Sequence, residues 1–324
     1  MLSGASAYVG GRDEFVGDPD LLGEQDSALE EVFEALIEHD PDQSRIARTL
    51  RITIDQLYDG QNTGRYRWDQ LHKTEKTHCG TLVEINLQRE FNFTDGVKLD
   101  YLIAGHEVDC KYSQGLGGWM IPNEAHEQLC LVVTADDAKG KWSAGVVRAR
   151  KEWLGAGRNR DAKASLSQVG REQIKWLAQN AELPPNALLG MPTEDVEAIF
   201  SSRSGQQRIN ELFRRAQGLR ITRGVVATVA QQADYMKRVR GNGGARTALR
   251  REGIVIFGHY KSHRQVGISL GLEQLLPGES MSVRLARAQD DEKWTAEITG
   301  ERWRVAQETD PIVDAPLLPG VSVA

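Results

Sequence analysis

The sequence predicts two domains of mixed α/β (α+β) class. Three observations carry that reading. The chain has 324 residues, against roughly 100–200 residues per domain. Helical periodicity in its first quarter gives way to short hairpin-like segments. A Glu182-Leu183-Pro184-Pro185 break follows, and helical patterns resume beyond it. The expected boundaries are 1–180, a linker at 181–185, and 186–324. Hydrophobic residues at 40% and charged residues at 27% exclude a disordered chain. No run of about 18 apolar residues occurs, which excludes a membrane-spanning helix. The first residues, MLSGASAYVGGRDE, lack a basic segment followed by an apolar one, so no signal peptide is expected. Cys79, Cys110 and Cys130 are odd in number and lack metal-ligand spacing. They argue against a disulfide framework and a zinc finger, and fit a reducing, cytoplasmic location.

Along the first domain, Ser27-Ala28-Leu29-Glu30 reads as a capping box. Leu29, Val32, Phe33, Leu36 and Ile37 follow at helical spacing, so residues 27–39 form an amphipathic helix. A second helix is expected over 41–57, a break at Gly60 and Gly64, and a third helix over 69–89. Segments 98–103 and 107–111 flank Ala104-Gly105, a hairpin signal. Segments 129–134 and 142–148 flank a turn at Asp136–Gly140, a second hairpin. Residues 171–180 read as helix.

In the second domain, residues 193–201, 206–215 and 222–239 read as helices. Gly241-Asn242-Gly243-Gly244 breaks the last, and 245–252 is a short basic helix. A strand at 253–258 then returns through 266–270. Helix, turn, basic helix and hairpin is the order of a winged helix-turn-helix, which lays its second helix in the major groove and its wing on the backbone. Arg246, Thr247, Arg250 and Arg251 share the short helix, and Lys261, His263 and Arg264 are expected at the hairpin tip. The alternative is a winged helix used for protein contacts.

Charge supports the DNA reading. Residues 1–60 hold 4 Lys/Arg against 14 Asp/Glu, residues 201–270 hold 14 against 3, and residues 271–324 hold 5 against 10. The overall net charge of -6 thus hides a basic block suited to a polyanion.

The chemistry centres on Lys98–Lys111. In a strand, residues i and i+2 share a face, so Asp109 and Lys111 point one way while Val108 and Cys110 point into the core. The hairpin can bring Asp100 beside Asp109. Two carboxylates so placed repel unless a hard cation such as Mg²⁺ lies between them. Lys111 can then contact a phosphate oxygen or position a water. That is the content of the PD-(D/E)xK nuclease motif, in which the metal polarises the phosphodiester and lowers the pKa of the attacking water. Taken alone, the segment favours an ordinary hairpin with a charged solvent face.

The wider order is more specific. Tyr58-Asp59-Gly60 and Thr63–Leu71 lead into Lys73-Thr74-Glu75-Lys76-Thr77, then Gly80–Ile85, then Asp100 and Asp109-Cys110-Lys111. The pattern resembles the NaeI-type (type IIE) restriction endonucleases over most of the chain. The resemblance implies a restriction-endonuclease-like nuclease core joined to a winged-helix domain similar to that of catabolite activator proteins. It implies a homodimeric, Mg²⁺-dependent enzyme that cuts double-stranded DNA at a GC-rich palindrome, GCCGGC in the family. A second copy of the site would bind the C-terminal domain as effector, giving two sites per dimer. Asp100 and Asp109 match the metal-binding carboxylates, with the Cys110 backbone carbonyl beside them. Lys111 matches the motif lysine, Glu84 a further active-site acid, and Thr74 a neighbouring support.

Other readings stay open at this point. A winged-helix transcription regulator with an N-terminal sensor or dimerisation domain would need no Asp100–Asp109–Lys111 constellation. A repair or mobile-element nuclease would share it. Leu57-Tyr58-Asp59-Gly60 echoes the Lys-x-Asp-Gly of DNA ligases, but leucine cannot be the nucleophile, so a helix end closed by Asp-Gly accounts for it. His72, His78 and His106 are scattered near the motif without a required role. Trp119, Trp142 and Trp153 read as core.

Overall fold

The computed structural model describes residues 26–158, 163–289 and 291–320. The reading of the first residues as lacking a signal peptide falls outside them. The described chain is a mixed α/β structure with a six-stranded and a four-stranded sheet and one two-stranded ribbon.

Helix α1 (Ser27–His39) has the expected bounds, but its cap is Asp26, whose carboxylate accepts the Leu29 N–H at 3.1 Å. Arg148 also donates to that carboxylate, tying the cap to the sheet. Helix α2 (Ser44–Tyr58) ends at Asp59, which takes the left-handed conformation. Gly60 does not break the chain there. It opens the single turn α3 (Gly60–Thr63), which Gly64 closes. Helix α4 (Lys73–Phe91) buries Cys79, Val83, Leu87 and Phe91. Their i, i+4 spacing makes one stripe, and each large side chain so buried contributes roughly 1.5–3 kcal/mol.

The main sheet comprises β1 (Thr94–Asp95), β2 (Tyr101–Ile103), β3 (His106–Ser113), β4 (Leu129–Asp136), β5 (Lys141–Arg148) and, after the ribbon β6 (Leu154–Arg158)–β7 (Ala164–Leu166) and the short α5 (Gln168–Glu172), β8 (Lys175–Glu182). Its order is β1-β2-β3-β4-β5-β8. Both expected hairpins form. At the first turn, Ala104 and Gly105 take φ of 49° and 81°, the pair of positive angles that a type I′ turn requires. Strands β3 and β4 run parallel, and the other neighbours run antiparallel. The helix expected over 171–180 is mostly strand: its local propensity yields to pairing with β5. One face of the sheet packs on α1, α2 and α4 through Leu36, Leu50, Ile54, Val83 and Tyr101. The other packs Trp119, Ile121, Val132, Val147 and Ile174. Trp119 and Trp142 are core residues as expected, and the three cysteines are buried and free.

A separate apolar cluster gathers residues from Ala187 onward. It is built from α6 (Ala187–Gly190), α7 (Thr193–Phe200), α8 (Gly205–Arg215), α9 (Arg223–Ala230) and α10 (Ala245–Ala248). Helix α9 stops eight residues into the expected 222–239 span because Gln231 turns left-handed, with φ of 51°. Strand β9 (Ile254–Gly258) follows, then α11 (Lys261–Ser269), β10 (Ser280–Arg287), β11 (Ala296–Ile298) and β12 (Glu301–Val305). The second sheet runs β11-β12-β10-β9. The return strand expected at 266–270 is therefore wrong: β9 pairs with β10, and 261–269 is helix. His263, Val266, Gly267 and Leu270 are all buried, and their spacing is the helical one.

The two halves touch along a close seam. A Cβ on Gly60 would lie 1.9 Å from Thr228 Oγ1 of α9, so only glycine lets α3 approach. Asn186 donates to the Tyr66 carbonyl at 3.0 Å, and the Tyr66 ring stacks on Phe200 at 5.9 Å.

Candidate active site

Strand register builds the site. Tyr101 pairs with Val108, so Asp100 comes alongside Asp109 at the mouth of the hairpin. The Cys110 N–H donates to Asp100 Oδ2 at 2.7 Å. Lys111 Nζ donates to Asp109 Oδ1 at 2.7 Å and to the Cys110 carbonyl at 2.9 Å, and lies 3.4 Å from Asp100 Oδ2. The alternation read from the sequence holds: Val108 and Cys110 are buried in the core facing α4, while Asp109 and Lys111 point to the opposite face.

Glu84 approaches from α4. Its backbone carbonyl accepts the Tyr101 hydroxyl at 2.7 Å, which joins helix to hairpin. Burial, and then the charge of Asp100, raise the Glu84 carboxyl above the usual range. Asp109 is raised too, first by burial and then by Asp100, against the opposing pull of Lys111. Burial works against the charge on Lys111, yet Asp109 and Asp100 together keep its pKa above the ordinary value. The cluster is thus two acids sharing one ammonium, with a third acid alongside.

The oxygen donors available to a cation are Asp100, Asp109, Glu84 and the Cys110 carbonyl. Asp109 Oδ2 is buried and has no hydrogen-bond partner among the described residues. An unpartnered buried carboxylate oxygen in an all-oxygen set fits a hard divalent ion. No three His, Cys, Asp or Glu side chains form a ready cage among the described residues. Thr74 stands apart: it lies exposed in the first turn of α4, while Glu84 is at mid-helix, roughly 15 Å away along the axis at 1.5 Å per residue.

Glu107 was missed by the sequence reading. Its carboxylate accepts the N–H groups of Val97, Lys98 and Leu99 at 2.7, 3.1 and 2.8 Å, pinning the loop that delivers Asp100. The signal was present, because Glu107 shares the i, i+2 face of Asp109 and Lys111. Leu57 is buried and Asp59 caps α2, so the ligase-like tetrapeptide is a helix end. His106 pairs with Glu31 at 2.9 Å.

The basic residues of the second half divide. Arg246 is held inward, its Nε donating to the Ile256 carbonyl at 3.0 Å and its guanidinium 5.7 Å from the Tyr260 ring; burial lowers its pKa. Arg250 donates to the Ala315 carbonyl at 2.7 Å, and the Thr247 hydroxyl is buried without a partner among the described residues. Arg251, Lys261 and Arg264 are exposed. Lys261, His263 and Arg264 do not sit at a hairpin tip: they lie on α11, where His263 is buried and its Nδ1 accepts the Gly258 N–H at 3.1 Å. Arg223 and Arg240, not singled out from the sequence, line a cleft with Arg246, His259 and Tyr260.

The family described as Restriction endonuclease NaeI matches residues 30–314 of this chain. The chain is also 50% identical over 309 residues to the Type II restriction enzyme NaeI of Lentzea aerocolonigenes, covering 93% of this chain and 97% of that protein. The two matches span both halves, and neither lends support to a transcription regulator.

Proposed function

Because the chain belongs to the NaeI restriction endonuclease family, we propose that it is a type II restriction endonuclease hydrolysing double-stranded DNA at a GC-rich palindrome, with GCCGGC the expected site. The observation that carries the proposal is the junction of Asp100, Asp109 and Lys111 on adjacent strands, with Glu84 beside them.

Asp100, Asp109 and the Cys110 carbonyl would hold a Mg²⁺ ion, with Glu84 as a further acid. When bound, such an ion polarises the phosphodiester and lowers the pKa of a water. The protein supplies the rest. Lys111 offers a compact ammonium to a non-bridging phosphate oxygen, or orients the attacking water. Glu107 holds the loop that carries Asp100, so the two carboxylates keep their spacing. The apolar packing beneath Asp109 lowers the local dielectric and strengthens each of these charges.

The second domain, from residue 186 after a linker at 181–185, is read as a winged-helix module that binds a second copy of the site as effector. The excess of 14 Lys/Arg over 3 Asp/Glu in residues 201–270 supports this, and the Arg223–Arg240–Arg246 cleft is its best surface for phosphates. Arg251, Lys261 and Arg264 add exposed charge, whereas Arg246, Thr247, Arg250 and His263 serve the fold at least as much as they serve DNA. A two-fold homodimer would match a palindrome.

Digestion of a plasmid with Mg²⁺ followed by end sequencing tests the proposal. Discrete fragments with one common end sequence are expected, and Asp109→Ala should bind the site yet leave it uncut. Absence of cleavage, or cleavage by Asp109→Ala at the wild-type rate, refutes it.

A further inference from the structure

The face of the main sheet that carries Asp109 and Lys111 continues beyond them. In the register, Asp109 neighbours Cys130, which neighbours Val147, and Lys111 neighbours Val132, which neighbours Gly145. Two residues further along β3, Ser113 neighbours Thr134, and Thr134 neighbours Ser143. The apolar rows thus end in a row of hydroxyls, about 7 Å beyond Lys111 at the rise of a strand. Above this row opens a cleft lined by Gln114, Leu116, Thr134, Ser143, Gln179 and Asn180.

Three features set the cleft apart from an ordinary sheet end. First, a bulge in β8 builds one wall. Trp142 pairs with Ala181 and Ala144 with Ala178, so Gln179 and Asn180 together oppose Ser143 alone. Asn180 takes a left-handed φ of 53°, and its N–H is held by Ser143 Oγ at 2.9 Å. Bulges of this kind re-aim side chains next to active sites. Second, the side-chain amides of Gln114 and Gln179 are without a hydrogen-bond partner among the described residues, and so is that of Asn180. Third, Thr134 is 6% exposed, lines this cleft, and its hydroxyl has no partner among the described residues. A buried hydroxyl left unpaired costs free energy unless something outside the protein satisfies it. The cationic rim is already engaged: Lys139 pairs with Asp136 at 2.7 Å, and Lys141 pairs with Glu182. The free polar groups are therefore amides and a hydroxyl, not phosphate-seeking ammoniums.

We propose that this cleft reads base edges of duplex DNA beside the phosphodiester that is cut, with Gln114, Gln179 and Asn180 as specificity residues. The inference rests on the nuclease reading of Asp100, Asp109 and Lys111 and deepens it. A carboxamide presents a donor and an acceptor side by side. In the major groove, guanine offers two acceptors and cytosine a donor, and adenine offers one of each. Amides fit these edges, whereas phosphate contacts favour cations, and the cleft's two lysines, Lys139 and Lys141, are paired. The spacing agrees: about 7 Å along β3 corresponds to about two base-pair steps of roughly 3.4 Å. Bases that close to the scissile bond are the ones a site-specific nuclease has to check.

The experiment uses the full-length protein and separates base reading from cutting. Duplexes selected from a random library with Ca²⁺ in place of Mg²⁺ define the preferred site by binding alone. Equilibrium binding to that site and to each single-base-pair change is then measured for wild type, Gln114→Ala, Gln179→Ala and Asn180→Gly, the last keeping the left-handed backbone. The inference expects discrimination at one or two base pairs next to the cut position to fall about 5- to 150-fold in at least one variant, the worth of a bidentate base contact. Discrimination at the remaining positions should hold. Thr134→Val should lose selectivity at the same base pairs if its hydroxyl completes the set. Unchanged discrimination in all three amide variants overturns the inference, as does a uniform loss of affinity for every sequence, which would mark backbone contacts. Wild-type protein that selects a sequence but cuts nothing with Mg²⁺ would instead refute the nuclease reading and leave base reading by the cleft to the binding data.

Discussion

Replacing Lys111 with methionine tests the centre of the site, because it keeps an unbranched side chain only one atom shorter while removing the ammonium and its hydrogen bonds. Lys111 Nζ lies 2.7 Å from Asp109 Oδ1 and 3.4 Å from Asp100 Oδ2. With an effective dielectric of about 20 these attractions are roughly 6 and 5 kcal/mol before desolvation. Most of that is offset by the cost of burying the groups, and removing one partner of a buried pair costs about 3–5 kcal/mol. In the variant, Asp109 is buried beside Asp100 with no counter-charge, and its already raised pKa rises further. A carboxyl raised above its unfolded value stabilises the folded state at low pH and loses that contribution as the pH climbs through the folded pKa. The deficit should therefore be largest at pH 8 and shrink at pH 5. Urea unfolding at both pH values, without divalent ions, measures it. The expected loss is about 3–5 kcal/mol at pH 8, with cleavage in Mg²⁺ down at least about 100-fold. Lys111→Arg should recover stability in part but not cleavage, since a planar guanidinium cannot stand where a compact ammonium does. A Lys111→Met protein as stable as wild type at pH 8 would refute the neutralising role, and wild-type cleavage would refute the phosphate role.

Gly60→Ala should cost about 1–3 kcal/mol by overpacking, because its Cβ would meet Thr228 Oγ1 at 1.9 Å. A double-mutant cycle with Thr228→Gly should show rescue, and an undiminished midpoint for Gly60→Ala would remove the close seam. Burial, helped by Arg246, lowers the pKa of His263 to about 4. The unfolded chain then binds the extra proton between pH 6.5 and about 4, so stability falls across that window on acidification by up to about 3 kcal/mol. His263→Asn should flatten the profile; an equally steep profile in the variant would assign the loss elsewhere. Arg223→Gln with Arg240→Gln should weaken DNA binding by the full chain and reduce the salt slope by about 1.8 if each meets one phosphate, and an unchanged slope would move the contact off the cleft.

The Asp100–Lys111 hairpin was legible because its signals are local. Ala104-Gly105 marks the turn, alternation assigns faces, and the spacing from Asp100 to Asp109 closes the mouth. Helices α1, α2 and α4 were legible for the same reason, their apolar stripes being written in consecutive turns. What escaped depends on distant partners. Residues 175–182 carry no strong strand pattern and become strand only because β5 offers an open edge. Residues 266–270 read as the returning half of a wing because 253–258 looks like its other half; the true partner, β10, lies two dozen residues downstream. The inward turn of Arg246 could not be read from its charge, since the Ile256 carbonyl and Tyr260 ring that hold it are set by packing of β9 against α10. Thr74 was carried to the site by resemblance, and α4 places it in the helix's first turn.

Two of the segments that depart from local expectation share a backbone feature. The segment misread as helix in 171–180 contains the Gln179–Asn180 bulge, and the helix that stops short of 239 does so at Gln231, whose side chain lies against Gly64 at the seam between the halves. In both cases a non-glycine residue adopts a left-handed angle that local preference disfavours. Such a conformation persists only where the surroundings over-determine it. At Asn180 the surroundings are Ser143 and the end of the catalytic face, and at Gln231 they are the approach of α3 to α9. Local rules and the final structure therefore part where the chain serves a partner outside the local segment: duplex DNA in one case, the other half of the protein in the other. The contrast with Asp100–Lys111 is physical. There the left-handed residue, Ala104, sits in a two-residue turn that the sequence itself marks with Gly105, so the approach of Asp100, Asp109 and Lys111 could be read in advance, whereas the bulge at Asn180 and the seam at Gln231 could not.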